Sequence, residues 1–445
     1  MAFHRILIAN RGEIALRVIR ACREMGIETI AVFSDADKDS LHVQHADKAV
    51  HIGPALSYKS YLNIENILKA AKDCNANAIH PGYGFLSESA EFAGACDDNG
   101  FIFIGPPTTS IARAGDKASA RKLVIELGIP VIPGSDDVVS NARSACGIAE
   151  NVGYPVIMKA SGGGGGRGMR IAHSPEELEA VFPVASGEAK AAFGNSDLYL
   201  EKYIERPRHI EIQILGDQYG NYIHLGEREC SIQMRYQKLI EEAPSPFVDE
   251  SLRAELGKTA IRIAESIGYT NAGTMEFLVD KGKQYYFMEI NARVQVEHPI
   301  TEWITGVDIV QEQIRISADE KLALRQEDIK LNGWSMECRI NAADPDDSFM
   351  PSPGMIEQVI LPGGPGIRVD THIHDKYMVT PYYDSLIGKL TVWAKDRPLA
   401  INRMQRALDE FSVQGISTTI PLYRQILKTN AFKKGDIDTH FLDNI

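Results

Sequence analysis

The stretch "KASGGGGGRGMR", residues 159–170, places five consecutive glycines between Lys159 and an arginine. Glycine runs are usually flexible linkers, because residues without a Cβ atom have the most backbone freedom in a disordered chain. The flanking segments "YPVIMK" and "MRIAH" are short, apolar and partly β-branched, which is typical of strands. The glycines are therefore predicted to form the loop of a β-hairpin, where backbone N–H groups can bind a phosphate beside Lys159. No G-x-x-x-x-G-K-[ST] sequence is present, which excludes a P-loop nucleotide site.

Composition predicts a globular protein of several subdomains. The chain has 445 residues, of which 44% are hydrophobic and 24% charged. Its net charge of −13 argues against general binding of nucleic acid or of a membrane surface, although it allows a local basic pocket for an anion. No apolar run approaches the roughly 20 residues of a membrane-spanning helix, and the N-terminus lacks a signal-peptide pattern. The six cysteines show neither zinc-site spacing nor a disulfide pattern, so a cytoplasmic protein with reduced cysteines is expected.

The first hundred residues alternate between predicted strands and helices. "RILIAN" has the pattern of a strand, "GEIALRVIRACREMG" that of an amphipathic helix, and "ETIAVFS" that of the next strand. This β-α-β order predicts a parallel sheet covered by helices. The first turn, "ANRGE", lacks the G-x-G-x-x-G pattern of a dinucleotide site. The sheet is therefore expected to serve as a scaffold or as a wall on the substrate side.

Two predicted strands near residues 273–299 carry oxygen ligands. Glu276 lies in one apolar strand, and Glu289 and Asn291 are two residues apart in the next, so both point to one face. Carboxylate and amide oxygens suit Mg²⁺, which is often shared with substrate phosphates. The alternative is a solvated strand face, but unpaired acids among apolar neighbours would be costly. The pattern therefore favours a metal site.

Polar residues continue along the same segment. If the strand stays extended, Arg293, Gln295 and Glu297 lie in register with Glu289 and Asn291. The arginine is interpreted either as an ion-pair partner of these acids or as a donor fork for a planar oxyanion. A glutamate within reach of such an anion can act as a general base.

The segment 227–244 is less informative on its own. Lys238 is followed by Glu241 and Glu242, and surface salt bridges are the simplest interpretation of that pattern. Residues 201–204 lie where a small α/β unit meets the strand-rich part of the chain. Backbone groups in an inter-domain hinge of this kind can bind the edge of a purine.

A set of longer motifs resembles biotin carboxylase, an ATP-grasp enzyme that carboxylates biotin with bicarbonate and ATP. The resemblance covers essentially the whole chain. In chain order the motifs are "NRGEIALR", "HPGYGFLSE", "GDK", "YPVIMKASGGGGGRGMR", "EKYIERPRHIEIQ", "ECSIQ", "YQKLIEEAP", "EINARVQVEHP", "TGVD" and "ECRINAADP".

The resemblance implies an α/β protein with the ATP-grasp fold. It has an N-terminal parallel α/β (Rossmann-like) domain, a mobile lid subdomain and a C-terminal α+β body. The implied units are residues 1–115 (N-terminal domain), 116–203 (linker and glycine-rich lid), 204–331 (ATP-grasp core) and 332–445 (C-terminal domain).

The resemblance also assigns site residues. ATP is implied to contact Lys117, Lys159, Gly164, Gly165, Gly166, Glu201, Lys202, Tyr203, Ile204, His209, Gln233, Tyr236, Glu276 and Leu278. Mg²⁺, or Mn²⁺ in its place, is implied to bind Glu276, Glu289 and Asn291. Bicarbonate is implied to bind Lys238, Arg293, Gln295 and Val296, with Glu297 as its base. Arg339 is implied to face the ureido group of biotin, and Tyr83 and Gly84 to border the biotin pocket.

The implied partners are a biotin carboxyl carrier protein, a carboxyltransferase and a second copy of the chain. No Ala-Met-Lys-Met-type attachment site is present, so biotin is expected on a separate carrier. The sequence departs from the family pattern at Met234 and Tyr236, where the family often has arginine and a histidine or asparagine. Pro365 stands where an aromatic residue is familiar near the dimer contact that Arg20, Glu24 and Arg368 would form.

The sequence is compatible with three alternative functions. The leading one is a biotin carboxylase of an acetyl-CoA type carboxylase, and propionyl-CoA or pyruvate are alternative final acceptors. A second is another ATP-grasp ligase that activates a different carboxylate. The third is an ATP-binding regulatory protein without activity, which the intact set Glu289, Asn291, Arg293 and Glu297 disfavours.

Overall fold

The computed structural model describes residues 3–135, 137–160, 169–193 and 196–444, except for the side chains of residues 117, 118, 192, 193 and 444. The predicted glycine loop with Gly164, Gly165 and Gly166 lies outside the described residues. No helix in these ranges is long and apolar enough to cross a membrane.

A five-stranded parallel sheet of order β3-β2-β1-β4-β5 organises the N-terminal part, as the β-α-β pattern predicts. Its strands are β1 (Arg5–Ile8), β2 (Glu28–Ser34), β3 (Lys48–Gly53), β4 (Ala78–His80) and β5 (Ile102–Phe103). Its helices are α1 (Gly12–Glu24), α2 (Leu41–His45), α3 (Ile64–Asp73), α4 (Ala90–Asp98) and α5 (Thr108–Gly115). The apolar face of α1 packs both on β1 and on later parts of the chain, which fixes this domain to the rest of the molecule.

A small α/β unit with its own core follows. Its elements are α6 (Lys117–Glu126), α7 (Ala142–Val152), β6 (Val156–Ala160), β7 (Arg170–Ala172), α8 (Pro175–Phe193) and β8 (Leu198–Lys202). Strands β6 and β7 are antiparallel, with Val156 opposite Ala172 and Met158 opposite Arg170. The two strands that flank the glycine run therefore form the predicted hairpin pair. Residues of α7, α8 and the three strands share one apolar cluster, separate from the main cores.

An eight-stranded antiparallel sheet forms the body, in the order β13-β12-β9-β10-β11-β14-β21-β19. The elements of its first part are β9 (Arg208–Gly216), β10 (Tyr222–Met234), β11 (Gln237–Ala243), α9 (Glu250–Ser266), β12 (Asn271–Val279), β13 (Tyr285–Asn291), α10 (His298–Thr305) and α11 (Ile309–Ser317). Helix α9, capped by Asp249, packs on β9 and β10.

The remaining elements extend the same sheet and add short strand pairs. They are β14 (Trp334–Asn341), β15 (Ala343–Asp344), β16 (Met350–Pro351), β17 (Gly354–Met355), β18 (Gln358–Ile360), β19 (Ile367–Thr371), β20 (Met378–Val379), β21 (Leu386–Ala394), α12 (Arg397–Glu410), β22 (Ser412–Gln414), α13 (Ile420–Ile426) and α14 (Asn430–Lys434). Strand β11 pairs with β14, so the sheet continues across residue 332, the predicted boundary between the ATP-grasp core and the C-terminal domain. Residues from these two predicted units therefore lie on one sheet.

One expectation about the strands is wrong. Strand β13 ends at Asn291, and the following residues form a turn before α10, so the extended register does not continue to Glu297. Glu297 has φ −82° and ψ 10°, and its buried side chain pairs with cations away from Glu289. The turn brings the buried carboxylate to two cations, and without such partners its burial would be costly.

Acid should destabilise the fold through His80, which ends β4. The imidazole is fully buried and its Nδ1 accepts the Gly82 N–H at 3.0 Å, and burial lowers its pKa from 6.5 to about 3. The unfolded chain therefore binds a proton first, and stability is lost as the pH falls from 6.5 towards 3, by about 1.4 kcal/mol per pH unit. Urea unfolding at several pH values should show this dependence of the free energy of unfolding on pH. In His80→Gln the unfolded chain should take up one proton fewer, so the dependence should be weaker by that amount. Parallel curves for the two proteins would contradict the assignment.

Candidate active site

A cavity of about 1170 Å³ lies between the N-terminal domain, the small α/β unit and the body. The predicted residues that line it are Tyr83, Gly84, Lys159, Glu201, Lys202, Tyr203, Ile204, His209, Gln233, Tyr236, Lys238, Glu276, Leu278, Glu289, Asn291, Arg293, Gln295, Val296 and Arg339. The side chain of Lys117 lies outside the described part of the chain, as do the three glycines. These predicted residues therefore lie around one shared cavity.

Lys238 is at the centre of the charged part of this cavity. Its ammonium lies 2.6 Å from Glu211, 3.0 Å from Glu276 and 2.8 Å from Glu297. Although burial opposes the charged form, the three carboxylates raise the pKa of Lys238 well above its usual value. The ion pairs of Lys238 are therefore not surface salt bridges, and this part-buried lysine is charged at neutral pH.

The β10–β11 hairpin places Lys238 at this point. Gln233 pairs with Lys238 and Met234 with Gln237, which leaves Arg235 and Tyr236 as a two-residue turn. Both have positive φ, 50° and 65°, a geometry that matches the twist of a tight hairpin. Tyr236 is 59% exposed and lines the cavity, so the departure from the family pattern lies on the cavity surface.

Glu276 and Glu289 are partners across β12 and β13. Glu276 accepts hydrogen bonds from His209 Nε2 at 2.8 Å, Asn291 Nδ2 at 2.8 Å and Gln295 Nε2 at 3.1 Å. Burial tends to raise the pKa of Glu276, but Lys238 and His209 hold it far below its usual range. Glu276 and Glu289 thus occupy facing positions on two neighbouring strands, and carboxylates suit Mg²⁺. Asn291 turns its amide nitrogen towards Glu276 and its amide oxygen towards Arg293.

Arg293 is held in one orientation by three neighbours. Its Nε donates to Glu88 at 2.8 Å, and its two terminal nitrogens donate to Gln295 at 2.8 Å and Asn291 at 3.0 Å. Both interpretations of this residue therefore have a basis in geometry, because the guanidinium is an ion-pair partner and also lines the cavity. An anion that enters the cavity meets a guanidinium that is already oriented.

Glu297 lies fully buried behind the cavity wall. Its carboxylate contacts Lys238 and, at 3.0 Å, a terminal nitrogen of Arg339, whose Nε donates to Glu241 at 2.6 Å. Burial would raise the pKa of Glu297, but Lys238, Arg339 and Arg228 together hold it well below its usual value. Glu297 is therefore ionised at neutral pH.

The opposite end of the cavity is formed by the hinge between the small unit and the body. Lys159 forms an ion pair with Glu201 at 2.5 Å, and Lys202 donates to the carbonyls of residues 153 and 154. The Tyr203 hydroxyl lies 2.7 Å from Nε2 of His440, near the end of the chain. Charged and backbone groups thus meet at the predicted nucleotide hinge.

Sequence reasoning missed several residues of the cluster. Glu211 pairs with Arg228 and Lys238, and His209, Glu211 and Glu276 bring possible ligand atoms within 4.8 Å of one another. The alternation in "RHIEIQ" puts His209 and Glu211 on one face, which is a usable signal. Glu88, in contrast, reaches Arg293 from 205 residues away, and no local pattern predicts that contact.

Three family models match the chain. They are the biotin carboxylase N-terminal domain over residues 2–111, the ATP-binding domain of the carbamoyl-phosphate synthase L chain over 116–325, and the biotin carboxylase C-terminal domain over 337–444.

Proteins that match over the whole chain agree with these family models. Biotin carboxylase of Nostoc sp. is 56% identical over 445 residues, covering 100% of both chains. The biotin carboxylase domain dimer of Hydrogenobacter thermophilus 2-oxoglutarate carboxylase, solved with MgADP, ADP and bicarbonate, has a TM-score of 0.95 at 51% identity. That match covers 100% of this chain and 98% of the other. The solved biotin carboxylase subunit of pyruvate carboxylase has a TM-score of 0.87 at 49% identity, and the match covers 99% of this chain and 98% of that one.

The fold and the charged cavity define an ATP-grasp enzyme, and the expected fold class is confirmed. The chain belongs to the biotin carboxylase family. It is an ATP-dependent ligase that carboxylates biotin with bicarbonate, using Mg²⁺.

The buried position of Glu211 leads to a stability prediction. Glu211→Gln removes a buried charge and leaves Arg228 and Lys238 with one counter-ion fewer, so the free energy of unfolding should fall by about 3–5 kcal/mol. Glu88→Gln is the matched control, because the Glu88 side chain is 41% exposed and its loss should cost less than about 1 kcal/mol. Equal losses in denaturant unfolding would contradict the central role of Glu211.

Proposed function

We propose that the charged cluster carries out the first half-reaction of an acetyl-CoA type carboxylase, on biotin held by a separate carrier protein. Support comes from one observation above all: an ionised, fully buried Glu297 lies between Lys238 and Arg339 beside the cavity. That arrangement provides a base next to two cations that can hold an anionic substrate. The roles of individual residues follow from this arrangement.

Bicarbonate is bound at the end of the cavity lined by Lys238, Arg293, Gln295 and Val296. Glu297 takes its proton, and an oxygen of the resulting anion attacks the γ-phosphorus of ATP while the bond to ADP breaks. The product is carboxyphosphate, which decomposes to CO₂ and phosphate inside the cavity. The low pKa of Glu297 keeps the carboxylate ionised before bicarbonate binds, and the two cations position the weak nucleophile.

ATP is held between the small unit and the body. Lys159, Glu201, Tyr203 and His209 border this end of the cavity, and the glycine loop is proposed to cover the phosphates. Glu276, Glu289 and Asn291 are proposed to bind Mg²⁺, because their oxygens suit a hard cation and Glu276 is ionised. When bound, the metal neutralises phosphate charge during transfer.

Biotin is proposed to enter between Arg339 and Tyr83. As the ureido nitrogen gives its proton to the phosphate released from carboxyphosphate, negative charge develops on the ureido oxygen, and the Arg339 guanidinium stabilises that charge. Two carboxylates, Glu241 and Glu297, hold the guanidinium in place, which supports a preoriented donor. The nitrogen then attacks CO₂ to form the new C–N bond.

The partners follow from this chemistry. A biotin carboxyl carrier protein delivers biotin, and a carboxyltransferase uses the product. A homodimer is proposed through the surface of α1, where Arg20 is half exposed, and the relative from Hydrogenobacter is a dimer. A cytoplasmic location agrees with six cysteines that are all free. Pyruvate is the alternative acceptor, since one structural relative belongs to a pyruvate carboxylase.

Arg339→Ala should separate the two halves of the reaction. Carboxybiotin formation should fall by about 10²–10³, the usual loss for one oxyanion donor. Slow ATP hydrolysis that requires bicarbonate should survive, because Lys238 and Arg228 still keep Glu297 ionised. Carboxybiotin and phosphate are measured in one reaction. If both rates fall in parallel, Arg339 does not act on biotin.

Glu289→Gln should test the metal site. The change keeps the shape of the side chain but removes a ligand charge, so turnover should fall by roughly two orders of magnitude and need more Mg²⁺ for half-activation. Titration of activity with MgCl₂ at saturating ATP gives both values. Near-normal turnover at ordinary Mg²⁺ would exclude Glu289 as a ligand.

A further inference from the structure

A buried lysine on β21 has no assigned role. Lys389 is 0% exposed, which is unusual for a residue whose charged form is costly to bury. Its ammonium donates to the carbonyl of Val296 at 2.8 Å and lies 3.2 Å from Glu13 Oε1. The buried charge is therefore paired, and it also holds a backbone carbonyl of the turn that precedes α10.

Three parts of the chain meet at this ammonium. Glu13 begins α1 in the N-terminal domain, Val296 lies in the turn after β13, and Lys389 is on β21. The Tyr83 hydroxyl donates to the same Glu13 oxygen, and the Lys389 ammonium lies 5.9 Å from the centre of the Tyr83 ring. Glu13, Tyr83 and Val296 all line the cavity. The contact thus joins the proposed bicarbonate end to the proposed biotin pocket.

The turn after β13 needs such a contact. Residues 292–297 lie outside the strand ladder, yet they carry Arg293, Gln295 and Glu297. Glu88 holds the start of the turn through the Ala292 N–H at 3.0 Å. Lys389 holds its end, at the peptide that joins Val296 to Glu297. Fixing a peptide fixes the side chain that follows it, so the Lys389 contact sets the position of the proposed base.

We propose that Lys389 is a positioning residue that orients the Val296–Glu297 peptide for bicarbonate binding and deprotonation, with Glu13 as its counter-ion. The residue does not touch substrate. The inference rests on the proposed bicarbonate site, because Lys389 is proposed to fix the position of a peptide that belongs to that site.

The competing explanation is a purely structural ion pair, and the test must separate the two. Lys389→Met keeps the apolar stem but removes the donor and the charge. The KM for bicarbonate should rise about 10-fold or more, since small misplacements of reacting groups have effects of this size. The KM for ATP should change less than about twofold, because Lys389 does not border the hinge end of the cavity. Both constants are measured by phosphate release with free biotin.

A double variant removes the ambiguity of a weakened fold. In Lys389→Met alone, Glu13 stays buried without its counter-ion, and this destabilises the protein. Lys389→Met with Glu13→Gln removes both charges, so its thermal midpoint should recover part of the loss. The bicarbonate KM of the double variant should nevertheless stay high, because the Val296 carbonyl still lacks its donor. Recovery of KM together with stability would overturn the proposal.

Arg397→Met is the matched control for losing a buried cation. Arg397 pairs with Glu242 at 2.7 and 3.0 Å, and among the described residues neither of the two lines the cavity. The thermal midpoint should fall, while the bicarbonate KM should stay within about twofold of the original value. A comparable rise in this variant would show that bicarbonate KM reports only general destabilisation, and the proposal would fail.

Arg293→Met distinguishes failure of this inference from failure of the proposed site. If Arg293→Met raises the bicarbonate KM and Lys389→Met does not, the site stands and the role of Lys389 is wrong. If neither variant changes it, the bicarbonate site itself is misplaced, and the inference falls with it. A rise in both, with the double variant still impaired, supports the inference.

Discussion

The ammonium of Lys238 is the group on which the rest of the site depends. Three buried carboxylates, Glu211, Glu276 and Glu297, lie within 3.0 Å of it. Without this cation the acids would repel one another and be driven to protonate, because burial disfavours their charged forms. With it, Glu276 and Glu297 stay ionised. A single cation therefore keeps two neighbouring carboxylates charged.

The continuous antiparallel sheet is what allows these groups to meet. Strand β11 pairs with β10 on one side and with β14 on the other. Lys238 and Glu241 lie on β11, and Arg339 lies on β14, so the cations and acids are neighbours across strands. A sheet holds such pairs at fixed spacing, whereas loops would let them drift. The same sheet continues to β21, whose Lys389 reaches back to the turn that carries Glu297.

The charge of the whole molecule gives little indication of this chemistry. The chain carries a net charge of −13, yet Lys238, Arg293 and Arg339 line one cavity. Cations that line a cavity can bind a small anion, while the acidic surface does not attract polyanions. The charge inside the cavity, and not the overall balance, therefore sets the class of substrate.

The sequence alone determined the element types, the hairpin strands around the glycines, and the shared face of Glu289 and Asn291, because these depend on local periodicity. It also supplied the motifs that carry the family resemblance. It could not determine the partners of Lys238, which lie 27, 38 and 59 positions away, or the turn that takes Glu297 out of the strand register. Those features are decided by pairing of buried charges across the folded sheet. Only the tertiary structure brings such residues together, since the partners come from distant parts of the chain and an unpaired buried charge would be costly.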